Sequence, residues 1–282
     1  MFSLQPALLK RILPCEMLQE TVREYQVFRF LFDEGVSPPV KFYAPRPEHS
    51  ITFYVCDAQR FSYINSPTIQ TYPACVVNGI YSIPILRYGG NDFLAIKVVL
   101  QPATLFQLLK IPLQPLTNTF LNAEELWGNK VSLVCEQLRN VNTIDEMIIF
   151  IEIFLKYLLK NKISALHPVD RVANYLLKRD QRTSLDWLAS QSCLSTRQFI
   201  RKFEEHTGIG AKSFQRIIRF DKAFRMKNLH PNMDWLSIAL SCDYYDYQHL
   251  VKDFKEFTQL TPTAFFDVEK TSPERIFGFV EN

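Results

Sequence analysis

Leu188-Ala189-Ser190-Gln191-Ser192-Cys193-Leu194-Ser195-Thr196-Arg197-Gln198-Phe199-Ile200-Arg201-Lys202-Phe203 is the stretch whose reading decides the fold around it. Just upstream, Leu185, Leu188 and Ala189 fall on the inner face of one short helix. Ser192-Cys193-Leu194 breaks the helical period, and Ser195 brings a hydroxyl that can accept from the free N–H groups of a new helix running through Phe203. A short helix, a tight turn and a second helix make a helix-turn-helix unit. Phe199 and Phe203 point inward at a four-residue step, which leaves Thr196, Arg197, Ile200 and Arg201 outward with basic Lys202 beside them. A helix that reads the major groove needs such a face: Arg to bond guanine in bidentate fashion, and basic neighbours to hold phosphates.

Outward from this stretch the chain repeats itself with a shift of about fifty residues. Leu188-Ala189 returns as Ile238-Ala239, Phe203-Glu204-Glu205-His206-Thr207-Gly208-Ile209 as Phe254-Lys255-Glu256-Phe257-Thr258-Gln259-Leu260, and Phe214 as Phe265. In the second copy Leu236, Ile238 and Ala239 lead into Ser241-Cys242-Asp243-Tyr244, and Asp246 or Tyr245 opens the second helix. Leu250 and Phe254 are inward there; Tyr247, Gln248, Val251 and Lys252 are outward, with His249 at the flank. Gln suits adenine, and Lys suits phosphate or guanine. Between the copies, apolar Phe214, Ile217, Ile218 and Phe220 alternate with Arg216, Arg219 and Lys222, which reads as a long joining helix.

Charge follows the same division. Residues 1–160 hold 14 Lys+Arg and 14 Asp+Glu, whereas residues 161–265 hold 16 and 11, a net of +5. Arg197, Arg201, Lys202, Lys212, Arg216, Arg219, Lys222, Arg225 and Lys227 face only Glu204, Glu205 and Asp221 in their stretch, an excess that suits a polyanion. The whole chain, 282 residues with 47% hydrophobic and 22% charged, has the composition of about two globular domains. Its most apolar window, residues 144–159, contains Asp145, Glu146, Glu152 and Lys156 and cannot be a membrane span. Residues 1–14 lack the pattern of an export signal, so a cytoplasmic location without a membrane partner is expected. Cys15, Cys56, Cys75, Cys135, Cys193 and Cys242 are scattered, as free thiols in a reducing compartment would be, with redox sensing as the minor alternative.

The first hundred residues, from Phe2 to Leu100, favour strands. Ile51-Thr52-Phe53-Tyr54-Val55, Cys75-Val76-Val77 and the run 93–100 are short, branched and aromatic, and Pro and Gly punctuate them. A small β-sandwich or barrel follows. After Pro102 the pattern turns helical. Thr143-Ile144-Asp145-Glu146 has the form of a capping box, and Ile144, Ile148, Ile151, Leu155 and Leu158 form an apolar seam that Ile149, Ile153 and Phe154 widen. That seam packs on its own β-domain or pairs with a second subunit. Asn161 to Pro168 is a polar break, with Pro168 suited to a helix start, and it divides a β-rich domain (1–160) from an all-α domain (168–267). The fold class expected is α+β: a β-rich barrel or sandwich with trailing helices, then two helix-turn-helix units.

Catalytic signatures are missing. The chain has no Gly-x-Gly-x-x-Gly, no phosphate-binding Gly-x-x-x-x-Gly-Lys, no Gly-x-Ser-x-Gly and no His-Glu-x-x-His. His49, His167, His206, His230 and His249 are dispersed and read as structural or solvated, so no metal, cofactor or catalytic residue is expected. Tyr43, Phe53, Tyr54, Phe61, Tyr63, Tyr81 and Tyr88 read mostly as core, and Arg46, Arg60 and Arg87 as solvated surface; the competing reading is an apolar pocket with an anion site.

The motifs of the C-terminal third resemble the AraC-type transcription regulators. Beyond residues 188–203 the likeness rests on Gly208-Ile209-Gly210-Ala211-Lys212-Ser213-Phe214, Arg219-Phe220-Asp221-Lys222-Ala223, Tyr244-Tyr245-Asp246-Tyr247-Gln248-His249, Phe254-Lys255 and Thr261-Pro262-Thr263-Ala264-Phe265. It implies a seven-helix domain over about 168–267 that places two recognition helices in successive major-groove segments of double-stranded DNA. Base contacts would fall on Thr196, Arg197, Ile200, Arg201, Tyr247, Gln248, Val251 and Lys252, with Lys202 and His249 beside them. Cys193 and Asp243 stand where each turn usually has glycine, Lys252 replaces a usual Arg, and Gln259 a usual Gly. The N-terminal half is similar to the sensor-like domain of one branch of the family, on Pro102, Leu108-Leu109, Leu116-Thr117, Leu126-Trp127 and 133–138. The function implied is sequence-specific regulation of transcription, as an activator and homodimer, with a small-molecule effector and RNA polymerase as further partners. The alternative is a constitutive or architectural DNA-binding protein whose N-terminal domain only dimerises or holds a protein partner.

Overall fold

Branched and aromatic side chains fit a pleated surface that is packed on both sides, which is why the first half of the chain folds into sheets. The computed structural model describes residues 6–160, 166–179 and 182–281. Its strands are β1 (Ala7–Ile12), β2 (Val22–Leu31), β3 (Lys41–Tyr43), β4 (Ser50–Tyr54), β5 (Arg60–Tyr63), β6 (Gln70–Thr71), β7 (Cys75–Asn78), β8 (Ile85–Tyr88), β9 (Asp92–Leu100) and β10 (Phe120–Asn122). They form a large sheet in the order β1-β2-β9-β4-β7-β10 and a small one in the order β3-β8-β5-β6. Pairing is antiparallel, with Tyr25 opposite Val98 and Phe53 opposite Ile96.

The period of two sorts the large sheet's residues between two cores. Val27, Phe53, Val77, Ile96 and Val98 face the helices that follow, while Tyr54, Val76 and Ala95 meet Tyr43, Phe61 and Ile85 of the small sheet. The described strands close no barrel, so the domain is an open sandwich. Tyr43, Phe53, Tyr54, Phe61 and Tyr81 are buried, as core aromatics should be. Strand β10 lies beyond Pro102, where only helices are expected. It pairs with β7 at the sheet edge, and three residues are too few for any periodic signal.

Helices α1 (Thr104–Leu109), α2 (Ala123–Trp127), α3 (Asn129–Asn140) and α4 (Ile144–Leu159) complete this half. The capping box at α4 is present, with Glu146 N donating to Thr143 Oγ1 at 3.3 Å and Thr143 N to Glu146 Oε2 at 3.2 Å. Ile144, Ile148, Ile151, Leu155 and Leu158 are buried with the sheet, each worth about 1.5–3 kcal/mol of apolar burial. Phe154 joins them, 6.2 Å from Phe53 in edge contact. Ile149 and Ile153 do not widen that seam: they are 56% and 57% exposed on another face of α4, as is Tyr157 at 51%.

The second half is helical: α5 (Pro168–Lys178), α6 (Leu185–Gln191), α7 (Thr196–Thr207), α8 (Ala211–Leu229), α9 (Trp235–Ser241), α10 (Tyr247–Thr258), α11 (Pro262–Glu269) and the short α12 (Pro273–Ile276). Pro168 occupies the first turn of α5, and His167 Nδ1 caps it by accepting from Val169 N at 3.2 Å. Phe220 on α8 is the hub of this core, with ring centres of Phe254 at 4.7 Å, Phe257 at 5.4 Å and Phe265 at 6.3 Å. No helix among the described residues is long and apolar enough to cross a membrane. The start of the strand-rich stretch (2–5), the first part of the leader window and most of the break at 161–165 lie outside the described residues.

Two arginines correct the surface expectation. Arg60 is exposed, but Arg46 is buried against Glu281, and the Arg87 guanidinium lies 3.6 Å from the centre of the Tyr43 ring. A guanidinium tolerates enclosure when a carboxylate or an aromatic face replaces its water.

Candidate nucleic-acid interface

Each helix-turn-helix copy is built by the same local devices. At the end of α6, Cys193 adopts φ 53° and Leu194 N donates to Ala189 O at 3.1 Å; at the end of α9, Asp243 adopts φ 60° and Tyr244 N donates to Ala239 O at 3.0 Å. Both departures from glycine thus sit in the left-handed conformation that glycine would favour, and Gln259 at the end of α10 does too, at φ 62°. Ser195 caps α7 in a capping box with Gln198, Gln198 N donating to Ser195 Oγ at 3.3 Å. Asp246, and not Tyr245, caps α10 by accepting from His249 N at 2.8 Å. The result is two helices of equal length, 12 residues each, with Phe199, Phe203, Leu250 and Phe254 wholly buried.

On the opposite faces Arg197, Ile200, Arg201, Gln248, His249 and Lys252 are exposed. Thr196, Lys202, Tyr247 and Val251 are half-buried. Thr196 Oγ1 donates to Asp186 Oδ1 at 2.7 Å, which ties α7 to α6, and Lys202 Nζ lies 2.9 Å from Glu205 Oε2. His249 Nδ1 lies 3.3 Å from Asp246 Oδ1. Between α5, α8 and the second unit lies a polar cleft whose walls include Arg179, Arg182, Lys212, Lys222, His249 and Lys252, with Asp243, Asp253 and Glu256 among them, so cations outnumber carboxylates beside α10.

The joining helix α8 binds the second unit through a charge hub that the sequence pattern did not single out. Asp253 on α10 accepts from Arg216 and Arg219, both at 2.8 Å, and Glu256 accepts from Arg216 at 2.6 Å. Arg219 also covers the Tyr244 ring at 4.1 Å. The hydrogen bonds that Arg216 donates to Glu256 hold Arg216 charged beyond its ordinary range, and Arg216 in turn holds Glu256 below the usual carboxylate range. Arg216 and Arg219 therefore spend their charge on positioning α10. The available signal was Asp253 itself, a carboxylate three residues after Leu250 on an otherwise aromatic inner face. Arg179 and Arg182, likewise missed, precede the unit in a stretch with no periodicity.

The end of α7 is docked on the β-domain. Leu113 N donates to Glu205 O at 2.9 Å, Thr117 Oγ1 to Gly208 O at 2.7 Å, and His49 Nε2 to Thr207 O at 3.1 Å. Burial lowers the His49 pKa to about 4, so the ring is neutral there. His206 stacks on Phe106 with ring centres 3.8 Å apart, and its Nδ1 lies 2.7 Å from Asp170 Oδ1. Gly208 at φ 85° is required at this junction, since a Cβ would stand 2.9 Å from Thr117 Oγ1 and 3.0 Å from Leu113 O.

Comparison with known proteins locates the same region. Residues 188–267 match the family model described as a helix-turn-helix domain. An HTH-type transcriptional regulator of Haemophilus influenzae is 27% identical over 165 residues, 56% of this chain and 53% of that protein. The chain thus spans about half the length of the curated relative it matches. An apo ToxT variant from Vibrio cholerae superposes with a TM-score of 0.50 at 13% identity, over 86% of this chain and 97% of that one, and shares its fold. The DNA-binding domain of AdpA, solved with a target DNA, gives a TM-score of 0.34 at 19% identity, over 37% of this chain and 95% of that one.

Proposed function

We propose, from the premise that residues 188–267 are a helix-turn-helix domain of the AraC type, that this protein is a sequence-specific DNA-binding regulator of transcription. The observation that carries the reading is the pair of equally long, separately capped helices whose outer faces present Arg197, Arg201, Gln248 and Lys252, with a cation-rich cleft bordering the second of them. Arg201 is assigned to guanine and Gln248 to adenine; Lys252, Lys202 and the cleft cations are assigned to phosphates. Thr196, Ile200, Tyr247 and Val251 complete the reading faces by shape and apolar contact, with His249 at the flank. The division into a domain of residues 1–160 and a DNA-binding domain of residues 168–267 belongs to the same reading.

The β-domain is assigned to assembly and signal response. Exposed Ile149, Ile153 and Tyr157 on one face of α4 favour a homodimer, because single apolar residues are common on surfaces but an aligned set is not. A dimer without an effector, binding DNA constitutively, is the second reading that this face supports. RNA polymerase remains a proposed partner for an activator, and the cytoplasm the proposed location. No catalytic role is assigned.

The test uses a DNA site recovered by the purified protein. Arg201→Ala is expected to weaken binding and to relax base preference at one position by about 1–3 kcal/mol; Lys252→Ala is expected to weaken binding to all sequences alike. Unchanged affinity in both variants, measured by fluorescence anisotropy, contradicts the assignment of the reading helices.

A further inference from the structure

Segment 269–281 turns back from the second helix-turn-helix unit and buries acidic and aromatic side chains on the β-domain. Glu269 accepts from Lys41 Nζ at 2.5 Å, Glu274 pairs with the same ammonium, and Glu281 lies 3.8 Å from it. Glu281 also pairs with Arg46. Phe277 stacks on Phe30 at 5.6 Å and packs on Phe32 at 5.1 Å. The segment is tied equally to the end of α8, where Asn228 Nδ2 donates to Glu281 O at 2.8 Å and Arg275 donates to Asn228 Oδ1 at 2.5 Å.

The DNA-binding helices are held to the β-domain along α8, where Arg46 lies 5.9 Å from the Phe224 ring centre, and at each unit separately. The first unit is held by the end of α7, and the second by this segment together with Phe265 of α11, whose ring centre is 5.5 Å from that of Phe42. Whatever loosens the segment removes the second unit's own attachment to the β-domain and leaves that unit held through α8 alone, with the first in place. The segment is also built to be loosened. Three carboxylates, Glu269, Glu274 and Glu281, crowd around Lys41 and Arg46 in a buried setting, with Arg225, bonded to Asp221, also near enough to act on Glu281. Burying so many charges together is costly. Burial, with Glu281 and Glu274 close by, pushes the Glu269 carboxyl up to about 7. Glu269 Oε2, Ser272 Oγ and Arg275 Nε are buried without hydrogen-bond partners among the described residues. Beneath the segment lies a cavity of about 70 Å³ bounded by Phe28, Phe30, Phe93 and Arg87, with Glu274 and Glu281 also at its wall.

We propose that residues 269–281 form an intramolecular clasp that fixes the second helix-turn-helix unit on the β-domain and thereby sets the spacing between the two recognition helices. The spacing role rests on the DNA-binding function proposed above; the clasp does not.

Hydrogen exchange and DNA binding of the full chain test it together. Glu274→Gln with Glu281→Gln, and separately Phe277→Ala, alter only the clasp side; Lys41→Met removes its anchor. Exchange over residues 262–281 is expected to quicken at least about tenfold in the variants, with α5 to α7 unchanged. The preference of the wild type for its selected block spacing over one lengthened by about two base pairs is expected to fall at least about fivefold. Unchanged exchange overturns the clasp. Faster exchange with unchanged spacing preference overturns its role in spacing. A wild type that binds no specific DNA overturns the spacing role and the DNA function, while the exchange result still decides the clasp.

Discussion

Replacing Cys193 by glycine should stabilise the protein, although the substitution removes a side chain and adds no contact. Cys193 adopts φ 53° on an exposed turn. An L-residue in the left-handed region carries a cost of about 1–2 kcal/mol, and glycine returns about 0.5–1 kcal/mol of that through its freedom in the unfolded chain. The net gain is then about 0.5–1 kcal/mol. Gln259 at φ 62°, also exposed, should behave alike. The two turns lie in different units, so the double variant should gain about 1–2 kcal/mol. Asp243 at φ 60° is the internal control: its Oδ2 accepts from Arg182 N at 2.9 Å, and aspartate tolerates this conformation. Losing that bond costs about 0.5–1.5 kcal/mol, so Asp243→Gly should be neutral or destabilising. Urea unfolding followed by Trp187 and Trp235 fluorescence, with slopes compared to verify a common unfolded state, reads all three. A Cys193→Gly variant that is less stable than wild type, or an Asp243→Gly variant that gains as much, refutes the assignment of strain.

The hub at Asp253 gives a second expectation: Asp253→Ala leaves enclosed Arg219 without its carboxylate and Arg216 with Glu256 alone, and because Arg216 is 24% exposed the loss should be about 2–3 kcal/mol, less than for a fully buried pair, read by urea midpoint. His49 gives a pH dependence. Its pKa falls from an ordinary 6.5 to about 4 on folding, so the unfolded chain binds the extra proton between these values; the stability contributed by neutral His49 is complete above pH 6.5 and is lost as pH falls toward 4. His49→Gln should flatten that part of the stability profile, and an unchanged slope in the variant contradicts the role given to the ring. Gly208→Ala should cost about 1–3 kcal/mol and raise hydrogen exchange at the end of α7, because its Cβ would meet Thr117 Oγ1 and Leu113 O.

The helix-turn-helix units were legible because everything that builds them is local. Phe199 to Phe203 and Leu250 to Phe254 are single turns of helix, and Ser195 and Asp246 act within three residues. The sheets were legible as a class, since strands such as β4 and β9 are packed on both faces and read as nearly continuous apolar runs. What escaped the sequence depends on distant partners or on very short elements. Arg46 reads as a surface cation until Glu281, 235 residues away, comes to it. Asp253 reads as one more charge until Arg216 and Arg219 converge on it from α8. The outer face of α4 was merged with its seam because Ile149 and Ile153 share the composition of the buried residues beside them, and only packing separates the two faces.

Selection of bound fragments from a random double-stranded DNA pool by the purified protein at near-physiological salt tests the central claim most directly. The predicted result is a motif of two blocks about one helical turn apart on one face of the duplex, one for α7 and one for α10. Recovery of fragments without a common sequence, bound only through salt-sensitive phosphate contacts, would contradict it.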